Sequence, residues 1–309
     1  MPTNTGMLMD WINFLIEPLQ YPFIQRGLLA LIIVGGLSAV IGCFVVVRGM
    51  SFFGDALAHT ILPGVALSYT ASGGAIGSNL FIGGLGAGVI SALLIAWMTR
   101  NERLKEDTAI ALVFVTMFAL GIVIISTQNN YSVDLTHILF GSILGISRTD
   151  VILMAGMSAL VLLVILALYK ELVIISFDLS LAHTLKLPVE ALRVLLLVLI
   201  AVTIVVSLQS VGISLMLALL IAPAATARLL VRRMHWMILL AALLGVGSGI
   251  IGFYFSYYFD VPSGAAIVLT MSAIFAIVFT GQSIVERFTS SAKSQPVNST
   301  ARRSSTVSQ

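Results

Sequence analysis

The chain reads as an all-α, polytopic integral membrane protein with about eight or nine transmembrane helices, some broken or half-length. Three observations predict this. Of 309 residues, 59% are hydrophobic and only 9% are charged, too few charges to cover a soluble surface. Uncharged runs recur along the chain, most of them long enough to cross ~30 Å of hydrocarbon at ~1.5 Å per residue. One of these runs carries Asp55, His59 and Pro63, a pattern found where ion sites interrupt membrane helices.

Residues 1–25 form an N-terminal interfacial segment, because residues 8–24 contain Asp10, Glu17 and two prolines. No basic stretch followed by a short apolar run and a cleavage site opens the chain, so no removable signal peptide is expected. A transmembrane domain over 26–288 follows. Its first crossing lies between Arg26 and Arg48, and further runs occupy about 51–69, 80–98, 109–126, 151–169, 194–208, 211–227, 236–256 and 264–285. The runs at 194–208 and 211–227 are short enough to be half-helices, with Gln209-Ser210 as an outer hinge. Residues 133–147 are apolar but too short to span, which fits a re-entrant or outer-surface helix. Residues 289–309 are Ser/Thr-rich without an apolar run and form a disordered cytoplasmic tail.

The net charge of +3 implies no nucleic-acid partner, because the positive-inside rule accounts for it. With the N-terminus outside and the runs alternating, every Lys and Arg falls on the cytoplasmic side except Arg26 and Arg148. The C-terminus is then cytoplasmic. The single cysteine, Cys43, excludes an internal disulfide and a thiolate metal site, and packing in the first span is its simplest role. Glycine pairs such as Gly35-Gly36 and Gly83-Gly84 serve close helix packing, with hinges for a moving gate as the alternative.

The chemistry concentrates at residues 48–64. A carboxylate in a membrane helix costs roughly 2.5–3.5 kcal/mol on insertion scales, so such residues are rare and usually functional. Asp55 and His59 stand at i and i+4, on one helical face. Their oxygen and nitrogen donors suit Mn²⁺, Fe²⁺ or Zn²⁺ and disfavour Cu⁺. Pro63 lacks the N–H that would bond the His59 carbonyl, so a break is expected there. Pro223, in Ile-Ala-Pro-Ala-Ala, is expected to break a second helix near the inner surface. Asp134 and His137 share a helical face and could form an outer metal-capture site, although a surface histidine is the simpler reading. His183 and His235 fall in or beside inner loops.

The longest inner loop is 170–193. Asp178 can N-cap a short helix with apolar positions at Leu181, Ala182 and Leu185, which Pro188 stops. Such a helix either rests on lipid headgroups or docks a partner. The chain contains no Gly-Lys pair, hence no phosphate-cradling loop for ATP, and no His-Glu-x-x-His zinc-protease motif. No nucleophile–base pair is evident, so the chain is not read as an enzyme. Uphill transport would need a partner ATPase or an ion gradient. The scarcity of mid-membrane ionisable residues favours the ATPase.

These residues resemble the membrane permease subunit of the bacterial manganese/zinc/iron ATP-binding-cassette importers. The resemblance rests on Arg48-Gly-Met-Ser-Phe-Phe-Gly-Asp-Ala-Leu-Ala-His-Thr-Ile-Leu-Pro-Gly-Val-Ala-Leu and Leu104-Lys-Glu-Asp-Thr-Ala-Ile-Ala-Leu-Val-Phe. Val133-Asp-Leu-Thr-His-Ile-Leu-Phe-Gly-Ser-Ile-Leu-Gly, Phe177-Asp, Leu220-Ile-Ala-Pro-Ala-Ala-Thr-Ala-Arg-Leu-Leu and Ser256-Tyr-Tyr-Phe-Asp-Val-Pro-Ser-Gly extend it from about residue 10 to 285. It implies a bacterial plasma-membrane protein paired with a second copy or a paralogue. It further implies two cytoplasmic ATPase subunits below, an extracytoplasmic metal-binding protein above, and a coupling loop near Phe177, Asp178, Leu181 and Leu185. Asp55 and His59 match the family's membrane metal site. The divalent ion is cargo, with manganese favoured over zinc and iron, and no permanently bound cofactor is expected. The rival reading is a proton-coupled secondary metal carrier working without an ATPase.

Overall fold

The computed structural model describes residues 17–72, 78–100, 104–127 and 145–293. Residues 1–16 of the expected interfacial segment, the outer stretch with Asp134 and His137, and residues 294–309 of the expected tail lie outside the described residues. The architecture is all-α. After a 3-10 turn at Pro18–Gln20 come α1 (Pro22–Val47), α2 (Ser51–Thr60), α3 (Leu62–Ala71), α4 (Ser78–Thr99) and α5 (Glu106–Ser126). Next are α6 (Arg148–Ala167), α7 (Tyr169–Phe177), α8 (Leu179–Thr184), α9 (Val189–Val211), α10 (Ile213–Leu230), α11 (Met234–Phe259) and α12 (Ser263–Lys293).

Among the described residues, eight helices are long and apolar enough to cross a membrane: α1, α4, α5, α6 and α9 to α12. The pair α2–α3 supplies a further, broken crossing. Its two ends fix this. Arg48, just before α2, shares one end of the bundle with Thr99 at the end of α4 and with Glu106 and Arg193 at the starts of α5 and α9. The chain must therefore traverse the bundle between Arg48 and the start of α4. Arg228, near the end of α10, reaches the same end, donating to the Val46 carbonyl at 2.6 Å. A cation on the terminal carbonyls of α1 suits the negative end of its dipole.

Two helices form the centre. The spanning windows of α1 and α9 are 72% and 67% buried, against 17% for α12. Ser38 of α1 and Ser207 of α9 share a buried hydrogen bond of 3.1 Å, satisfying two hydroxyls that no water reaches. On the periphery, Trp97, Leu166 and Ile277 are exposed, which suits a lipid-facing wall. The glycines serve packing where backbones meet. A Cβ on Gly64 of α3 would come within 2.1 Å of the Gly83 carbonyl oxygen of α4, so only hydrogen fits.

Local signals explain the helix ends. α1 starts at Pro22, earlier than the Arg26 boundary, because proline suits the first helical turn. α5 opens on Glu106 and Asp107, carboxylates placed at the positive end of its dipole. α6 opens on a capping box: the Asp150 N–H donates to Ser147 Oγ, and the Ser147 N–H donates to the Asp150 carboxylate, both at 3.1 Å.

Several expectations are corrected. The segments at 194–208 and 211–227 are not half-helices but the full helices α9 and α10, and Gln209-Ser210 is helical. The turn falls instead at Gly212, whose φ of +79° glycine alone adopts without strain. α10 runs unbroken through Pro223, so the expected break there is absent. Its neighbours α1, α11 and α12 hold the helix in place, and a membrane helix tolerates proline when surrounding groups satisfy the freed carbonyl. α12 continues to Lys293, past the boundary at 288. The inner loop 170–193 is mostly helical, because α7 and the start of α9 fill it around α8.

Close packing of α1 on α10 gives a stability prediction. A Cβ on Gly42 would stand 1.8 Å from the Leu220 carbonyl oxygen. Gly42→Val is expected to lower stability by ~1–3 kcal/mol or more through overpacking. Thermal unfolding of the detergent-purified chain, followed by fluorescence, measures it. An unchanged transition would contradict this contact.

Candidate metal site

Asp55 and His59 occupy one face of α2, with His59 Nε2 3.9 Å from Asp55 Oδ1. They form a half-buried edge of the helix below the exposed Ser51 and Phe52, while Phe53, Gly54, Ala56, Leu57 and Ala58 beside them are buried. The Asp55 side chain is 41% exposed and that of His59 28%. His59 Nδ1 is buried and has no hydrogen-bond partner. The two ring nitrogens thus differ: Nδ1 faces protein and Nε2 faces the carboxylate. An imidazole nitrogen beside a carboxylate oxygen, at a separation that leaves room between them, can share a divalent cation.

The helix is interrupted just beyond the pair. α2 ends at Thr60, Ile61 forms the turn, and α3 resumes at Leu62 with Pro63 in its first turn. Proline fits there because the first helical turn needs no N–H donor. The Val65 N–H donates to the Ile61 carbonyl at 3.1 Å, restarting the ladder immediately. The result is two half-helices in one crossing, with His59 in the last turn of the first.

Helix α5 forms the wall of the site, a role hidden in the sequence. Phe114 and Phe118, one helical turn apart, place their rings 5.8 and 5.7 Å from the His59 imidazole. Phe118 meets it edge-on at 83°. Their contact limits the imidazole to one side of α2. One turn further, Gly121 lies against the break: a Cβ there would come within 2.9 Å of Leu62 Cβ and 3.2 Å of the Pro63 nitrogen. Phe114, Phe118 and Gly121 share a helical face, but α5 is apolar on all sides, so no polar face revealed its orientation.

At the basic end, α8 carries the Asp178 cap expected from the sequence: the Leu181 N–H donates to Asp178 Oδ1 at 3.0 Å. Ala182 is buried, while Phe177, Leu179, Leu181 and Leu185 are exposed. This apolar surface adjoins a cavity of about 580 Å³ lined by Arg48, Glu106, Phe177, Asp178 and Arg193. Glu106 Oε1 accepts from Arg48 Nη2 and Arg193 Nε, each at 2.9 Å, and from Arg193 Nη2 at 2.5 Å. Burial pulls the Arg48 pKa down, the Glu106 charge pushes it up, and Arg193 opposes Glu106. Arginine remains cationic throughout. His183 and His235 are exposed, away from the pair.

A second cavity, about 970 Å³, lies at the opposite end among α1 and α9 to α12, lined by Ser214, Tyr257 and Asp260. None of its lining residues belongs to α2. Among the described residues no group of three or more His, Cys, Asp or Glu side chains could hold a metal, and Asp55 with His59 is a candidate two-donor half-site. Asp134 and His137 lie outside the described residues.

Because the pair is half-open and 3.9 Å apart, it contributes only ~0–1 kcal/mol to folding. Asp55→Ala and His59→Ala are therefore expected to unfold within a few degrees of wild type in detergent. A large loss of thermal stability would mean the pair is structural.

Comparison with known proteins places the chain. The manganese transport system membrane protein MntC of Halalkalibacterium halodurans is 46% identical over 266 residues, covering 86% of this chain and 89% of that protein. A protein of Haemophilus influenzae named a probable iron transport system membrane protein is 39% identical over 270 residues, covering 87% and 96%. The solved structure of PsaBC from Streptococcus pneumoniae in complex with Fab matches with a TM-score of 0.74 at 39% identity, covering 87% of this chain and 95% of that one. The model of the ABC 3 transport family matches residues 20–282, nearly every described crossing, and the chain belongs to that family.

Proposed function

We propose that this chain is the membrane-spanning permease subunit of an ATP-driven importer of divalent transition-metal ions, manganese first among them. The observation that carries this reading is Asp55 beside His59 on the broken crossing α2–α3. Asp55 is the single described carboxylate inside a membrane-crossing segment. The others lie at or beside helix ends, as Glu106, Asp150, Glu190 and Asp260 do, or, for Glu286, past the spanning part of α12. The names of the MntC relative and the Haemophilus influenzae relative support manganese, with iron as the second choice. Zinc remains compatible with the donor set.

The half-site implies a second copy. Two permeases facing each other across α2 supply two carboxylate oxygens and two imidazole nitrogens around one ion, a donor set that suits Mn²⁺. Binding requires ionised carboxylate and neutral imidazole, so affinity falls as the medium is acidified. The plasma membrane of a bacterium is the setting, with the basic end cytoplasmic and the N-terminus outside. A binding protein delivers the ion to the outer mouth. Two ATPase subunits seat on the exposed residues Phe177, Leu181 and Leu185 around the Asp178 cap, and their closure switches access to the ion. Hydrolysis belongs to those partners. Asp134 and His137 serve as a candidate outer capture pair.

A proton-coupled carrier is the weaker reading, because a proton relay needs titratable groups along a path and α2 offers only its pair.

Elemental analysis of cells lacking this chain, grown with limiting manganese, zinc or iron, tests the proposal. One metal, manganese, is expected to fall in the deletion, to return with the wild-type chain, and to stay low with Asp55→Ala or His59→Ala. Full restoration by both variants would reject the site. No metal change in a strain without redundant importers would reject the function. Uptake that survives loss of the ATPase but collapses with a protonophore would favour the carrier.

A further inference from the structure

Three helices with different tasks meet at one oxygen atom. Glu106 Oε1 accepts hydrogen bonds from Arg48 and from Arg193. Arg48 ends α1 and is separated from α2, the helix with Asp55 and His59, by only Gly49 and Met50. Arg193 stands in the opening of α9, directly after the turn that links it to α8. Glu106 itself starts α5, whose Phe114 and Phe118 press on the His59 ring. In distance along α5, the ion cluster and Phe118 are ~18 Å apart at ~1.5 Å per residue.

We propose that Glu106 is the positioning residue that couples the ATPase-facing surface to the metal pair, with α5 as the rigid rod between them. The inference rests on the proposed ATPase docking at α8. Two arginines, both cationic, converge on one carboxylate in a half-buried pocket. Without that negative charge they repel each other and separate. The cluster therefore joins α1, α5 and α9 as one unit only while Glu106 is ionised and in place. A displacement of α8 enters through α9 and Arg193 and leaves by two paths. One runs through Arg48 into α2, the other along α5 to the aromatic wall of His59. Arg193 also donates to the Thr99 carbonyl at 3.3 Å, which brings the end of α4 into the same unit. Arg48 Nη1 is buried without a hydrogen-bond partner, a spare donor for a second arrangement of the cluster. The adjoining cavity gives the side chains room to reach that arrangement.

The test uses the full permease assembled with its own ATPase in proteoliposomes. Manganese transported and ATP hydrolysed are measured together, and manganese binding to the permease is measured separately. Glu106→Gln removes the charge and keeps the shape. It is expected to retain manganese binding while manganese moved per ATP falls about fivefold or more, the scale of a typical coupling energy. Arg193→Gln is expected to do the same. If the Glu106→Gln complex does not assemble, Arg193→Lys keeps the charge but loses the forked contact, and its ratio decides instead. A fall in transport and hydrolysis together, with the ratio unchanged, would overturn the proposal by reducing the cluster to a structural clamp. If the wild-type complex moves no manganese on ATP, the functional reading fails first, and this inference with it.

Discussion

A carboxylate in hydrocarbon must be compensated, and the arrangement of this bundle follows from how Asp55 is accommodated. Insertion of such a group costs roughly 2.5–3.5 kcal/mol, and no water within the membrane can pay it back. Helix α2 buries the residues on either side of Asp55 and leaves the carboxylate on an edge beside His59. The crossing breaks at Ile61, so His59 sits in the last turn of a half-helix, with Asp55 one turn before it, rather than in the middle of a continuous one. α5 packs Phe114 and Phe118 against the imidazole, and the carboxylate beside it stays partly exposed.

The same helix ties this edge to the basic end. α5 begins in the Glu106 cluster, where two arginines share one carboxylate, and passes the His59 ring on its way to the Pro63 break, against which Gly121 fits. Around it the division of labour is clear. α1 and α9 hold the centre with a buried serine pair, while α12 and much of α6 present apolar side chains outward. Among the described residues the short α-helices are α2 and α3 at the break and α7 and α8 toward the basic end. A transporter needs this combination of a stiff interior and discontinuous segments near its cargo.

The parts legible in the sequence were those where polarity stands out against an apolar background. Asp55, His59 and the Pro63 break are conspicuous inside a run of Ala, Leu and Phe, and the Asp178 cap follows from its spacing before Leu181. What stayed hidden was relational. Arg48 and Arg193 lie 58 and 87 residues from Glu106 in the chain, and no local pattern connects them. Phe114, Phe118 and Gly121 belong to a helix apolar all round, where periodicity carries no phase. Pro223 misled for a related reason: proline breaks an isolated helix, but here α1, α11 and α12 pack around it and the helix persists. The Gln209-Ser210 hinge was displaced to Gly212, where a positive φ, rather than polarity, sets the turn.

The central claim is that two copies of this chain share one ion through Asp55 and His59. Equilibrium dialysis of manganese against the purified permease, with the protein concentration fixed by amino-acid analysis, tests it most directly. One ion bound per two chains, abolished by either Asp55→Ala or His59→Ala, is the predicted result. One ion per chain, or binding that survives both substitutions, would contradict it.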